Sequence, residues 1–273
     1  MKNLLHNIQT WLTLALLIVG IQSCTYDGED VGNVEVTFTA TLPVDSDSRS
    51  FGKARQINTL LVGVFSDEHE EICRKSFPVN GTSVDITLAL AQNQKYNFVF
   101  FAYDSRQEVY NLDDLTAIRM NAIPSPITFA QSESMDAFFA TRENVFVIGD
   151  KNYPIELIRP LVQINIGTTG KPMLSAFTVK SIPDTFYPFM NTVSGATDFS
   201  WNISETTAEK FSVEGEEYNY LGMGYVFAPT TATPYSVELT LTDAGISQTV
   251  NFSQVYLEAN FKSNIVGKFT NEL

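Results

Sequence analysis

The sequence has few of the side chains from which most catalytic and metal sites are built. Its 273 residues include two histidines, two cysteines and two tryptophans. His6 falls in an apolar N-terminal segment, so the rest of the sequence holds only His69, which stands among acidic residues. A catalytic triad needs a histidine beside a nucleophile, and zinc sites need several His or Cys ligands. We therefore expect no catalytic residues, no metal and no cofactor, and predict that the protein is not an enzyme.

Positive charge is also scarce. The sequence has 17 Lys and Arg residues against 31 Asp and Glu residues, which gives a formal net charge of −14. A chain this acidic is repelled by nucleic acid and by anionic lipid surfaces. We expect no nucleic-acid partner.

The sequence has no apolar run long enough to cross a bilayer as a helix. The first apolar run, near the N-terminus, is short. Residues 11–21 contain no ionisable side chain, but a helix that crosses a bilayer needs roughly 20 apolar residues. Lys2 precedes this run, and Ser23 is a small residue at its end. A basic start, a short apolar centre and a small residue before a cleavage site are typical of a secretory signal. The sequence predicts that residues 1–23 are a signal peptide.

Cys24 follows this signal directly. Ile21, Gln22 and Ser23 before it resemble the lipobox that lipoprotein signal peptidase cleaves. The thiol of such a cysteine takes a diacylglycerol, and two or more acyl chains hold a protein stably on a membrane. We predict that Cys24 is lipidated and that the acidic segment 24–33 is a tether. The alternative is a plain secreted protein in which Cys24 is incidental.

The dominant periodicity of the remaining chain is two, which predicts an all-β fold. In residues 34–42 one face is apolar and the other carries Glu35 and three threonines. The apolar face consists of Val34, Val36, Phe38, Ala40 and Leu42. Further strand-like runs lie at 57–65, 83–88, 96–103, 137–148 and 155–167, and similar runs recur in the second half. Short strands at this spacing are typical of β-sandwiches.

One short helix and one domain boundary interrupt this pattern. Residues 111–118 predict a helix, because Asn111 can cap it and Leu112, Leu115 and Ile118 repeat at threes. The segment 167–172 has two glycines and a proline, as a linker would. We therefore predict an N-terminal sandwich at 34–168, which contains the helix, and a C-terminal sandwich at 169–273.

Several stretches resemble one known family. They are residues 136–141, 145–149, 156–169, 220–229 and 263–270, and they lie in the order and spacing found in fimbrillin-like lipoproteins of Gram-negative anaerobes. This resemblance to the type V pilin superfamily implies two tandem transthyretin-like β-sandwich domains. It also implies a lipid anchor in the outer membrane, exposure on the cell surface, and a place in a pilus if the chain polymerises.

The resemblance further implies a way to assemble. In polymerising members a protease cuts after an arginine in the loop beyond the first strand, and a strand of another subunit fills the groove that this opens. Here Arg49 follows the first strand and would be the maturation cleavage site. The strand with Val34, Val36, Phe38, Ala40 and Leu42 would be removable or donated, and other pilin-like subunits would be partners. The alternative is an ordinary first strand that stays in place, with Arg49 on the surface.

Two functional hypotheses follow. The first is a structural or adhesive surface protein: a pilus subunit, an anchor or accessory subunit, or a stand-alone relative that binds host or bacterial surface ligands. The alternative is a surface glycan-binding lipoprotein for nutrient capture. Glycan binders usually present several aromatic residues, and Trp201 is the only tryptophan after the signal peptide, although the sequence has 11 tyrosines.

Overall fold

A computed structural model describes residues 32–43 and 56–269, and this part of the chain is almost entirely β-sheet. The predicted fold class, all-β with tandem sandwiches and one short helix, is confirmed. Among the described residues no helix has the length and apolar character to cross a bilayer. The predicted signal peptide, Cys24, most of the tether and Arg49 lie outside the described residues.

The strands are numbered in chain order. The first ten are β1 (Asn33–Thr41), β2 (Thr59–Phe65), β3 (Glu71–Pro78), β4 (Ser83–Ala91), β5 (Lys95–Tyr103), β6 (Tyr110–Asn111), β7 (Ile118–Met120), β8 (Ala137–Phe146), β9 (Lys151–Glu156) and β10 (Leu161–Thr168). The others are β11 (Leu174–Ile182), β12 (Thr185–Tyr187), β13 (Thr192–Ser194), β14 (Thr197–Asn202), β15 (Lys210–Val213), β16 (Glu216–Phe227), β17 (Thr233–Asp243), β18 (Ile246–Leu257) and β19 (Lys262–Gly267). The helix α1 spans Phe129–Glu133, and a single 3-10 turn spans Pro188–Met190.

The N-terminal half forms a sandwich of two sheets. One sheet has the strand order β4-β1-β9 and the other β3-β2-β5-β8. Between them lies a closed apolar core to which every strand of the first sheet contributes, and which β2, β5 and β8 line from the other side. The alternation predicted for β1 is what this packing requires, because successive side chains of a strand point to opposite faces of its sheet.

The C-terminal half forms a second pair of sheets, with orders β15-β16-β10-β19 and β14-β11-β17-β18. At their interface the rings of Phe177 and Trp201 stack 4.7 Å apart at an angle of 3°. Gly222 and Gly224 of β16 make room for this stack. A Cβ atom at Gly222 would lie 2.9 Å from the Phe177 ring, and one at Gly224 would lie 2.5 Å from the Trp201 ring. Glycine is therefore required where β16 crosses the stacked pair.

The cores of the two halves are connected through sheet β3-β2-β5-β8, whose strands β2 and β5 are buried on both faces. Phe139 of β8 packs edge-on against Phe186 of β12 at 4.5 Å, and Phe186 stacks on Phe227 of β16 at 5.6 Å. A fifth, small sheet with the order β13-β12-β7-β6 combines strands from both halves. The two halves thus share apolar packing and backbone hydrogen bonds.

Strand pairing bears on where the halves divide. β10 pairs antiparallel with β16 and parallel with β19, both of which belong to the C-terminal half. A division by strand pairing therefore falls between β9 and β10, ahead of the glycine-containing segment 167–172. The two domains at 34–168 and 169–273 stay a prediction.

The helix lies at a different place from the predicted one, so the prediction for residues 111–118 is wrong. There Asn111 accepts a hydrogen bond from the N–H of Asp113 at 2.9 Å, and Asp114 accepts one from the N–H of Thr116 at 2.8 Å. These are local turns that compete with helix formation, and the chain then enters β7. Helix α1 begins instead after Thr128, which forms a reciprocal capping box with Gln131.

Candidate functional site

The first strand occupies the middle of its sheet. Along its whole length β1 pairs antiparallel with β4, from Asn33 opposite Ala91 to Thr41 opposite Ser83. On its other side residues 36–41 pair parallel with β9. Its backbone therefore forms hydrogen bonds with both neighbours. β4 and β9 belong to the same sheet only because each pairs with β1.

The apolar face predicted from the sequence points into the core. Val36, Phe38 and Ala40 are buried within β1, and Leu42 is buried just after the strand ends. Val34 is half-buried and packs against the same core. The structure thus brings all five predicted residues to one face.

Phe38 lies at the centre of this face. Its ring is 4.7 Å from the ring of Phe98 and 5.3 Å from that of Phe100, both in β5 of the opposite sheet. It also stacks on Tyr153 of the neighbouring strand β9 at 5.6 Å. Aromatic pairs at such distances add to the energy of burial. Phe38 therefore fills a pocket with three aromatic walls.

The other face of β1 is polar. Thr39 donates a hydrogen bond to Asp85 of β4 at 2.8 Å, and the hydroxyls of Thr37 and Thr87 lie 3.5 Å apart. These contacts are exposed, so each contributes little net energy. The strand is held by its backbone ladder and its apolar face.

Hydrogen bonds outside the ladder fix the C-terminal end of β1. The N–H of Leu42 donates to the carbonyl of Thr82 at 2.8 Å, and the N–H of Leu157 donates to that of Thr41 at 3.0 Å. From Gln56 onward the chain leads into β2, which lies in the opposite sheet. The predicted cleavage residue Arg49 lies in this connection between the two sheets, outside the described residues.

A buried ion pair stabilises the passage from β9 to β10, and no sequence pattern pointed to it. Arg159 Nε and Nη2 donate to the two carboxylate oxygens of Asp136 at 2.6 and 2.8 Å. The N–H of Ala137 adds a third hydrogen bond to the carboxylate at 3.0 Å. Burial raises the pKa of Asp136 from 3.8 to about 6, although Arg159 acts to lower it. The two residues are 23 positions apart, beyond the reach of a periodicity argument.

His69 contacts an aromatic ring and a carboxylate. Its ring packs on Phe189 with centroids 4.2 Å apart, and its Nε2 is 3.3 Å from a carboxylate oxygen of Glu143. Within residues 32–43 and 56–269, no group of three or more His, Cys, Asp or Glu side chains is placed to hold a metal ion. The arrangement around His69 is an exposed polar contact between the turn after β2 and strand β8.

One protein family and several solved structures are similar to this chain. The model of one family, described as a family of unknown function (DUF6562), matches residues 28–272. No curated protein matches the sequence.

Solved structures share the fold. A candidate adhesin from Bacteroides ovatus is 12% identical, with 90% of this chain and 92% of that chain covered and a TM-score of 0.53. A candidate polysaccharide-binding protein from Bacteroides thetaiotaomicron VPI-5482 is 12% identical, with coverages of 87% and 92% and a TM-score of 0.53. The fimbrial anchor protein Mfa2 from Porphyromonas gingivalis is 11% identical, with coverages of 81% and 82% and a TM-score of 0.50. The resemblance to fimbrillin-like proteins is thereby confirmed at the level of the fold.

Proposed function

The chain belongs to this DUF6562 family, and we propose that it is a fimbrillin-like surface protein with a structural or adhesive role that assembles by strand exchange. One observation carries the proposal: β1 lies between β4 and β9 and fills an apolar slot. The fold is the one found in a fimbrial anchor protein and a candidate adhesin. These similarities support a role in surface structures rather than in catalysis.

Removal of β1 would leave a groove that needs a new occupant. Burial of a side chain such as Val36, Phe38 or Leu42 is worth about 1.5–3 kcal/mol. Without β1 the inner edges of β4 and β9 would also present unpaired backbone groups, which favour pairing with another strand. A strand with apolar residues at alternate positions would satisfy both needs.

The order of segments along the chain links this exchange to the lipid anchor. The predicted lipid site Cys24 precedes β1, and the predicted cleavage site Arg49 follows it. A cut after Arg49 would leave β1 covalently attached to the lipid and separate it from the rest of the chain. Departure of β1 from the sheet after this cut would open the groove and release the subunit from the membrane.

This proposal includes a location and partners. The lipidated precursor would lie on the outer membrane and face outward, and cleaved copies would enter a pilus with other pilin-like subunits. Host or bacterial surface ligands would bind to the exposed sheets. The glycan-binding alternative stays a second hypothesis, since one protein of this fold is a candidate polysaccharide-binding protein.

Limited proteolysis of the purified full-length chain tests the proposal. We expect an arginine-specific protease to release an N-terminal fragment that ends at Arg49, and the remaining chain to form a ladder of oligomers on a denaturing gel run without boiling. Arg49→Ala should abolish both the fragment and the ladder, and Arg55→Ala is the matched control that should leave both unchanged. A cut chain that stays monomeric, with its groove unfilled, would contradict strand exchange.

A further inference from the structure

A second feature of the molecule, separate from β1, is a cavity of about 560 Å³ beside helix α1. It lies against sheet β15-β16-β10-β19 and is bordered by α1, by Gln163 of β10 and by Met223 and Tyr225 of β16. Gly224 faces Trp201 inside the C-terminal sandwich, so its neighbours Met223 and Tyr225 point to the opposite face of the sheet. A volume of this size is in the range of small-ligand sites.

Two residues that line the cavity each carry a buried oxygen atom that lacks a partner within the described residues. Gln163 and Tyr225 are directly opposite each other in the β10–β16 ladder, and they are 3% and 0% exposed. Within the described part of the chain, neither Oε1 of Gln163 nor the hydroxyl of Tyr225 has a hydrogen-bond partner. Buried polar atoms are nearly always paired, so two such atoms on paired residues that line one cavity point to a ligand.

The chemistry of each atom is fixed by its surroundings. The Gln163 amide donates through Nε2 to Asn165 Oδ1 at 2.9 Å, which leaves Oε1 as an acceptor. Burial raises the pKa of Tyr225 well above 10, so its hydroxyl keeps its proton. A ligand group must therefore donate a hydrogen bond to Gln163 Oε1, and it can accept one from the Tyr225 hydroxyl. A hydroxyl group can do both.

The rim adds apolar surface and acceptors. The rings of Phe129 and Tyr220 lie 5.9 Å apart and are half-buried. Besides Gln56 and Thr207, the lining includes three carboxylates and two lysines: Glu133, Glu205, Glu209, Lys210 and Lys262. The excess of negative charge disfavours phosphate and other anions. The combination of ring faces, carboxylates and neutral polar atoms suits a ligand with apolar C–H faces and several hydroxyls.

We propose that this cavity binds a neutral saccharide unit, with Gln163 accepting from one sugar hydroxyl, Tyr225 donating to another, and Phe129 and Tyr220 packing against the ring. The cavity contains no residue of β1, β4 or β9. The proposal is therefore independent of strand exchange and holds for the uncut chain.

Binding to the uncut full-length chain in detergent micelles tests it. The probes are D-glucose, D-galactose, D-mannose and N-acetyl-D-glucosamine, each titrated to millimolar concentration and followed by saturation-transfer-difference NMR. We expect at least one to bind saturably. Tyr225→Phe removes an oxygen that has no partner within the described residues, so the fold should tolerate it, and affinity should fall about threefold to tenfold. Gln163→Met should weaken binding by a similar factor.

The matched control is Tyr256→Phe on the exposed part of β18, which should bind as the wild type does. Near-UV circular dichroism verifies that each variant is folded. Failure of all four sugars to bind would overturn the proposal. Equal affinity in wild type, Tyr225→Phe and Gln163→Met would also overturn it, because the sugar would then bind elsewhere. Binding of spermidine or inorganic phosphate with none of the sugars would assign the cavity to a charged ligand and would overturn it as well.

Discussion

The ring of Phe38 in β1 lies 4.7 Å from the ring of Phe98 in β5, at an interplanar angle of 55°. The contact crosses the N-terminal sandwich and joins its two sheets. Among the ring pairs of Phe38, this one has the shortest distance between centroids. Burial of the Phe38 ring contributes to the energy that holds β1 in the sandwich.

We expect Phe38→Ala to lower the free energy of unfolding by about 3–5 kcal/mol, because it removes a fully buried ring and leaves a cavity. Thr37→Ala, on the exposed face of the same strand, should change it by less than about 0.5 kcal/mol. Urea denaturation of both variants measures the difference. Equal stability of the two would mean that the Phe38 pocket does not hold β1.

A peptide with the sequence of residues 33–42 should bind to the chain after cleavage and removal of β1. It would restore the ladder with β4 and β9, so it should block the oligomer ladder in proportion to its concentration. The same peptide with Phe38→Ala should be a poor competitor, since burial of this ring supplies much of the affinity. Gel analysis after incubation with each peptide checks this. Equal inhibition by both peptides would speak against occupation of the β1 groove.

Cys24→Ala should move the protein from the membrane fraction to the soluble fraction, because the acyl chains would be lost. Fractionation and labelling with radioactive palmitate measure the change, and Cys73→Ala is the matched control, which should stay membrane-bound and labelled. A Cys24→Ala protein that still sediments with membranes would rule out this anchor.

The buried carboxyl of Asp136 should make stability depend on pH. Below pH 3.8 it is protonated in both states, and between pH 3.8 and about 6 the folded chain keeps a proton that the unfolded chain releases. Its contribution to stability therefore falls as pH rises through this window and is lost in full above pH 6. The loss is about 3 kcal/mol, since one pKa unit corresponds to about 1.4 kcal/mol.

Asp136→Asn tests this dependence, because asparagine does not titrate. The variant should be close to the wild type in stability near pH 4, where the wild-type carboxyl is protonated and resembles the amide. As pH rises from 4 to 7 the wild type should lose about 3 kcal/mol relative to the variant, as followed by urea denaturation at each pH. A wild type that gains stability relative to the variant over this range would show that Arg159 outweighs burial and lowers the pKa of Asp136.

Gly224→Ala should destabilise the C-terminal sandwich by about 1–3 kcal/mol, the usual cost of overpacking. The added Cβ would lie 2.5 Å from the Trp201 ring. Gly149→Ala is the matched control, because a Cβ there meets no atom within 4 Å. Thermal unfolding of both variants distinguishes them, and an unchanged midpoint for Gly224→Ala would mean that the stacked pair can move.

The parts of the fold predicted correctly are those in which one face of a strand is buried. β1 alternates between apolar and polar residues because only one of its faces meets the core, and the sequence predicts its apolar face residue by residue. β5 instead is apolar at every position from 98 to 102, because it is buried on both faces. The sequence predicts this strand but not its pairing with β2 and β8.

The features that were missed depend on distant contacts. β3 is half-exposed and has mixed composition, so its pairing with β2 leaves no periodic pattern. The pairing of Asp136 with Arg159 joins segments 23 positions apart, and the burial of Gln163 arises where β10 is enclosed by β16 and β19. A glutamine at an alternate position reads from sequence as a solvent-facing residue. Its burial is visible only in the folded chain.

The mixed pairing of β1 has a consequence for polymers. A strand that replaces β1 must run antiparallel to β4 and parallel to β9, so it can enter in only one direction. Every joint in a chain of subunits would then have the same orientation. The resulting fibre would be polar, with one end that offers an open groove and another that offers an unpaired strand, and growth at the two ends would require different partners.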